Sequence, residues 1–145
     1  MSRAERRAQV EWEGNMPSGR GVITVGSGAM DEMPVTWVSR VDRPNGKTSP
    51  EELLAAAHAS CYAMALSHTL AGRGADIDQL FVEAVAALDA DLLRITTVDL
   101  DIRGMVSGIS QEQFQSVAEE AEKVCPISNA IRNNVDISLR AVLEG

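Results

Sequence analysis

The sequence predicts an α+β fold in one domain spanning residues 1–145, with the element order β-β-β-α-β-β-α-β. Three observations carry that expectation. Pro50 to Leu70 (PEELLAAAHASCYAMALSHTL) reads as one long apolar helix. Residues 93–105 alternate apolar and polar side chains as a strand does. Ser110 opens an amphipathic helix that a last alternating stretch follows. Strands come in groups rather than one per helix, so a doubly wound parallel sheet is excluded.

The first 45 residues read as a meander of three strands. Ala8 to Glu13 (AQVEWE) alternates loosely, Gly14 to Gly19 carries turn residues, and Gly21 to Val25 (GVITV) and Val35 to Val41 (VTWVSRV) are β-branched runs. Arg40 is next to last in the third run, where strict alternation puts it on one face with Val38 and Thr36. Asp42 to Ser49 (DRPNGKTS) is dense in turn formers and delivers the chain to the long helix.

That helix begins at a proline, with Glu51 and Glu52 suiting the positive end of its dipole and Ser49 as a candidate cap. From Leu53 to Leu66 only His58 and Ser60 interrupt Ala, Leu, Met, Tyr and Cys, so the helix is expected to be buried all round at the centre of the fold. Charged and polar ends make it too short of apolar residues to span a membrane, which needs about 20. Ala71 to Gly74 (AGRG) is a stop signal.

Leu80 to Asp89 (LFVEAVAALD) and Leu93 to Met105 (LRITTVDLDIRGM) are the next two strands; the alanines of the first would also suit a helix. In the second, Ile95, Val98, Leu100 and Ile102 oppose Thr97, Asp99, Asp101 and Arg103, with a slip near Thr96. Ser110 and Gln113 form a capping box, and Phe114, Val117, Ala118, Ala121 and Val124 repeat at helical spacing opposite Glu and Gln. The helix should end near Cys125 because Pro126 follows; a short helical turn from Pro126 to Arg132 and a strand from Val135 to Val142 complete the chain.

A chain of 145 residues can form a core without metal or disulfide staples. Its formal charge of −8 and isoelectric point near 4.7 argue against nucleic acid or an anionic membrane as partner. The N-terminus is polar, with Arg3, Arg6 and Arg7 read as a solvated end rather than a binding tail, and it lacks the apolar region of a signal peptide. A cytoplasmic setting is therefore expected, where thiols are kept reduced.

Two cysteines are present, Cys61 in the long helix and Cys125 at the end of the amphipathic one, 64 positions apart. Neither belongs to a C-x-x-C or has metal-ligand spacing to histidine, and neither a cofactor nor a metal is expected. Cys61 is either a small core residue or a reactive thiol. Cys125 either fills the last apolar position of a helix or sits at the start of the next one, where free N–H groups favour a thiolate. A buried thiolate needs a cation, for which Arg20, Arg40 and Arg43 are candidates, and a buried arginine needs a carboxylate such as Glu51 or Glu52. His58 lies three residues before Cys61 on the same face, so it is either a hydrogen-bonded core residue or half of a Cys/His nucleophile pair; His68 has too few partners for zinc.

The run T-S-P-E-E-L-L-A-A-A-H-A-S-C-Y-A-M-A-L at Thr48 to Leu66, C-P-I-S-N-A-I at Cys125 to Ile131 and W-E-G at Trp12 to Gly14 resemble the OsmC/Ohr family of thiol peroxidases, nearer the OsmC branch. The resemblance implies an intertwined homodimer with the long helices at its centre and active sites at the subunit interface. It further implies Cys61 as peroxidatic thiolate, Cys125 as resolving thiol, Arg40 as the guanidinium supporting the thiolate and Glu51 as the carboxylate orienting that arginine. The V-S-R-V context favours Arg40 over Arg20. Ser49, Ser60 and Tyr62 stand where asparagine, alanine and phenylalanine are common in the family. Glu51 precedes Cys61 by ten residues, about 15 Å along a straight helix, so it must act through a long arginine, a break in the helix or the other subunit.

The implied activity is reduction of organic hydroperoxides to alcohols through a sulfenic acid and an intramolecular disulfide that an external dithiol reopens. Two other readings stay open at this point: a Cys/His hydrolase using Cys61 and His58, and a non-catalytic stress dimer binding small hydrophobic molecules.

Overall fold

The computed structural model describes residues 2–144. They form two compact units divided after Pro50.

The first unit is an antiparallel sheet in the order β1-β2-β3, with β1 at Ala8–Glu13, β2 at Arg20–Val25 and β3 at Met33–Val35. The third strand is shorter than its β-branched run suggested. Trp37–Val41 is a helix, α1, and Arg40 lies in its last turn instead of on a strand. The cause is local: the Thr36 hydroxyl accepts from the Ser39 N–H at 3.0 Å, and the Ser39 hydroxyl accepts from the Thr36 N–H at 2.9 Å. This reciprocal cap satisfies the first free N–H groups of a helix and outweighs the strand preference of valine and threonine. On a helix the residue three before Arg40 shares its face, and the guanidinium carbon accordingly lies 5.8 Å from the centre of the Trp37 ring.

The second unit opens with the long helix, α2, continuous from Pro50 to Gly72. It stops where the glycines predict: the Ala75 N–H reaches back to the Leu70 carbonyl at 3.2 Å, and Gly74 holds the left-handed φ of 77° that a side chain disfavours. The expectation of all-round burial does not hold for the single chain. His58, Tyr62, Leu66 and Leu70, four apart, are fully buried, whereas Ala56 and Ser60 are exposed and Met64 is 71% exposed. One chain covers one stripe of α2.

β4 (Asp76–Asp89) pairs antiparallel with β5 (Arg94–Ser107), and β5 pairs in parallel with β6 (Asp136–Leu143), so β5 is the central strand. The alanine-rich stretch is thus a strand, begun four residues earlier than its β-branched core suggested. The slip near Thr96 is a bulge: Ala87 pairs with Thr97 while Leu88 pairs with Ile95, leaving Thr96 as the extra residue.

Two more helices follow β5, α3 (Gln111–Lys123) and the short α4 (Pro126–Ile131). The full order is β-β-β-α-α-β-β-α-α-β, which adds α1 to the predicted one and gives the short turn expected from Pro126 to Arg132 as α4. The capping box of Ser110 and Gln113 is present, and Phe114, Val117, Ala118 and Ala121 are buried, but Val124 falls just past the helix and is exposed. The core of this unit joins Tyr62, Leu66 and Leu70 of α2 to Val98, Leu100 and Ile102 of β5 and to the buried face of α3. Gly104 in β5 lets the Phe114 ring lie against the strand, since a β-carbon there would be 2.5 Å from the ring. The open edge of β6 is covered by α3, whose Gln111 and Gln115 amides bond the backbone of Ala141 and Leu143. Among the described residues no helix is long and apolar enough to cross a membrane.

Candidate active site

Cys61 projects from the middle of α2, half-buried. Cys125 is the N-cap of α4 and fully buried. Their sulfurs stand 3.5 Å apart as two free thiols. A disulfide needs about 2.05 Å between sulfurs, so the pair is one small approach from bonding.

The first turn of α4 explains why they meet. Proline at N1 has no N–H, so the first free donor of the helix is that of Ile127, which lies close enough to Cys61 to lower the pKa of its thiol. The sequence placed this favourable helix end at Cys125, whose own side chain makes no capping bond. Burial nevertheless dominates and pushes the Cys61 thiol above its ordinary value; the Ile127 N–H opposes that, and the neighbouring Cys125 adds to it. A thiolate at Cys61 therefore calls for a positive charge beyond these groups.

His58 does not pair with Cys61. Its Nε2 lies 2.7 Å from the Ser128 hydroxyl, deep in the protein. The nearby Glu122 carboxylate, whose pKa Ser128 helps to lower, takes a two-pronged ion pair from Arg132, Nη1 to Oε1 at 2.8 Å and Nη2 to Oε2 at 2.5 Å. A neutral His58 with its proton on Nε2 donates to the Ser128 hydroxyl and keeps its lone pair on Nδ1. His58 Nδ1 is then a buried lone pair without a protein partner, which costs less than a stranded N–H donor.

The same chain fixes the response to acid. Burial holds the His58 pKa below 6.5 despite the nearby Glu122, and the Arg132 hydrogen bonds hold that of Glu122 below 4.5 against burial. In both cases the unfolded chain takes up protons first as pH falls, so both groups destabilise the fold on acidification. Unfolding midpoints in urea are expected to drop first just below pH 6.5, from His58, and again below 4.5, from Glu122. His58→Gln should remove the upper drop and leave the lower one; a variant that keeps both would take His58 out of the acid response.

The other residues singled out in the sequence fall in different places. Arg40 belongs to the first unit, where with Trp12, Ile23, Val35, Trp37 and Pro50 it lines an apolar cavity of about 380 Å³. Glu51 is buried in the first turn of α2. Because α2 runs unbroken from there to Cys61, a break in the helix cannot bring the two together. Arg20 is exposed and pairs with Glu13, its neighbour across the β1-β2 hairpin, at 3.3 Å. Arg43 and His68 are exposed.

Sequence reasoning missed Ser128, Glu122 and Arg132. Helical periodicity put Glu122 on the polar side of α3, yet it is 6% exposed, and the ion pair with Arg132, ten residues on and beyond the helix, explains that.

The model of the family described as OsmC-like protein matches residues 43–140. The chain belongs to the OsmC-like family. This OsmC-like chain is 31% identical over 135 residues to the peroxiredoxin OsmC of Escherichia coli, covering 91% of the chain and 93% of that relative. It is 30% identical over 128 residues to the organic hydroperoxide resistance protein OhrB of Bacillus subtilis, covering 82% and 87%. The solved structure of Bacillus subtilis OhrB aligns at TM-score 0.69 and 26% identity over 93% of the OsmC-like chain and 97% of its own. The fold is also that of an OsmC-type protein of Legionella pneumophila, at TM-score 0.73 and 23% identity over 97% and 99%.

Proposed function

We propose that the protein is a cofactor-free thiol peroxidase that reduces organic hydroperoxides in stress defence, with Cys61 as the attacking thiolate and Cys125 as the resolving thiol. The observation that carries this reading is the 3.5 Å approach of a half-exposed thiol to a buried one, both unbonded. The relatives named as a peroxiredoxin and as organic hydroperoxide resistance proteins support it.

In the first step the Cys61 thiolate attacks the terminal peroxide oxygen, the O–O bond breaks, and the alkoxide leaves with a proton as an alcohol. Cys61 is now a sulfenic acid. In the second step the Cys125 sulfur attacks the Cys61 sulfur, the S–O bond breaks, and the hydroxide takes the Cys125 proton to leave as water. An external dithiol then reduces the disulfide by exchange.

Arg40 is the proposed source of the positive charge that the Cys61 thiolate requires, and Glu51 the carboxylate that orients it, from the same or a partner subunit. The apolar lining around Arg40 suits a hydrophobic peroxide better than hydrogen peroxide. A homodimer is proposed because α2 leaves Met64 and its neighbours uncovered in one chain. The hydrolase reading loses ground because His58 is committed to Ser128.

Intact mass after one equivalent of cumene hydroperoxide tests the reading, with hydrogen peroxide in parallel. The expected result is rapid loss of two hydrogens, faster with the organic peroxide. An unchanged mass would leave both cysteines as core residues and favour a non-catalytic dimer that binds hydrophobic molecules.

A further inference from the structure

One turn of α2 meets one turn of α4 at two matched positions. Cys61 faces Cys125 at 3.5 Å, and His58, three residues before Cys61, faces Ser128, three residues after Cys125, at 2.7 Å. Both residues of the second pair are fully buried. Between them the Ile127 N–H lies by the Cys61 sulfur and favours its thiolate. Arg132 holds the Glu122 carboxylate and also bonds the Asn129 side chain of α4 at 2.8 Å.

This arrangement has a specific job available to it. α4 has only six residues and starts on a proline, so its own backbone bonds hold its first turn weakly. Cys125 makes no capping bond that would fix it. The buried bond nearest to the sulfur pair that crosses from α2 to α4 through uncharged side chains is the one from His58 to Ser128. We infer that His58 is a positioning residue for the second step: through Ser128 it holds the first turn of α4 against α2 so that Cys125 meets the oxidised Cys61. The inference rests on the redox pairing of Cys61 and Cys125 proposed above.

The step it serves is the one already balanced: S–S bond formation, S–O cleavage and release of water. Attack by a thiol fixed beside the sulfenic acid is effectively unimolecular, and misplacing such a group by about 1 Å costs up to roughly a hundredfold in rate. Formation of the sulfenic acid needs the peroxide and Cys61 but not the place of Cys125. Loss of the latch therefore slows resolution more than oxidation.

The test compares wild type with His58→Leu, which keeps apolar bulk without the bond, and His58→Gln, whose side-chain amide can still donate to Ser128. Both rates are read in rapid-mixing experiments with cumene hydroperoxide, the sulfenic acid being trapped with dimedone and the disulfide counted by intact mass. The ratio of resolution to oxidation is expected to fall about tenfold or more in His58→Leu, within the loss that misplacement allows, and to recover in His58→Gln. Ser128→Ala should repeat the fall and serves where His58→Leu fails to fold. Equal slowing of both steps, or a ratio unchanged in both His58→Leu and Ser128→Ala while wild type forms its disulfide, would overturn the positioning role alone. Wild type that forms no disulfide would overturn the redox pairing itself.

Discussion

Cys61→Ser is expected to abolish peroxide consumption, and Cys125→Ser to allow one oxidation per chain and then stall. Serine keeps the volume but offers a hydroxyl that peroxide does not oxidise, so the first variant has no acceptor for the oxygen atom. The second keeps that acceptor and loses the thiol standing 3.5 Å from it. An external thiol at millimolar concentration replaces a neighbour whose effective concentration is far higher, so turnover should drop on the order of a hundredfold or more. The measurement is peroxide consumed with excess dithiol, alongside trapping of the sulfenic acid. Full turnover by Cys125→Ser would remove Cys125 from the resolving role, and residual turnover by Cys61→Ser would move the chemistry to another residue.

Arg40→Ala is expected to slow Cys61 oxidation at neutral pH by about tenfold or more and to move its pH dependence to the alkaline side. The groups packed around Cys61 raise its pKa on balance, because burial outweighs the Ile127 N–H. Without a cation the thiol is mostly protonated at neutral pH, and each unit of pKa costs about tenfold in thiolate and about 1.4 kcal/mol. Oxidation rate as a function of pH reads this directly, since the rate follows the thiolate. Arg40→Lys should restore part of the rate, as a point charge without the planar fork that a carboxylate such as Glu51 orients. Profiles that superimpose for wild type and Arg40→Ala would place the source of positive charge elsewhere.

The sequence carried much of this arrangement where a signal was local. The capping box at Ser110, the glycine stop after α2 and the slip at Thr96 each stand in the structure as a cap, a left-handed turn and a bulge. What misled was also local. Val35, Thr36, Val38 and Val41 look like strand residues, and only the reciprocal bonds of Thr36 and Ser39 turn the chain helical there. The cysteines could be named, but their separation of 3.5 Å depends on how α4 packs against α2, which no spacing encodes. Glu122 and Ser128 were invisible for the same reason: a buried carboxylate on an amphipathic helix reads as surface until its partners are known.

In the proposed cycle the unequal exposure of the two sulfurs gives the reductive half a direction. Cys125 is fully buried while Cys61 is half-buried, so an incoming dithiol can reach the Cys61 side of the disulfide and not the other. In the proposed cycle the mixed disulfide forms at Cys61, and Cys125 is the leaving thiol. On that reading the order in which bonds are remade follows from which sulfur the fold hides.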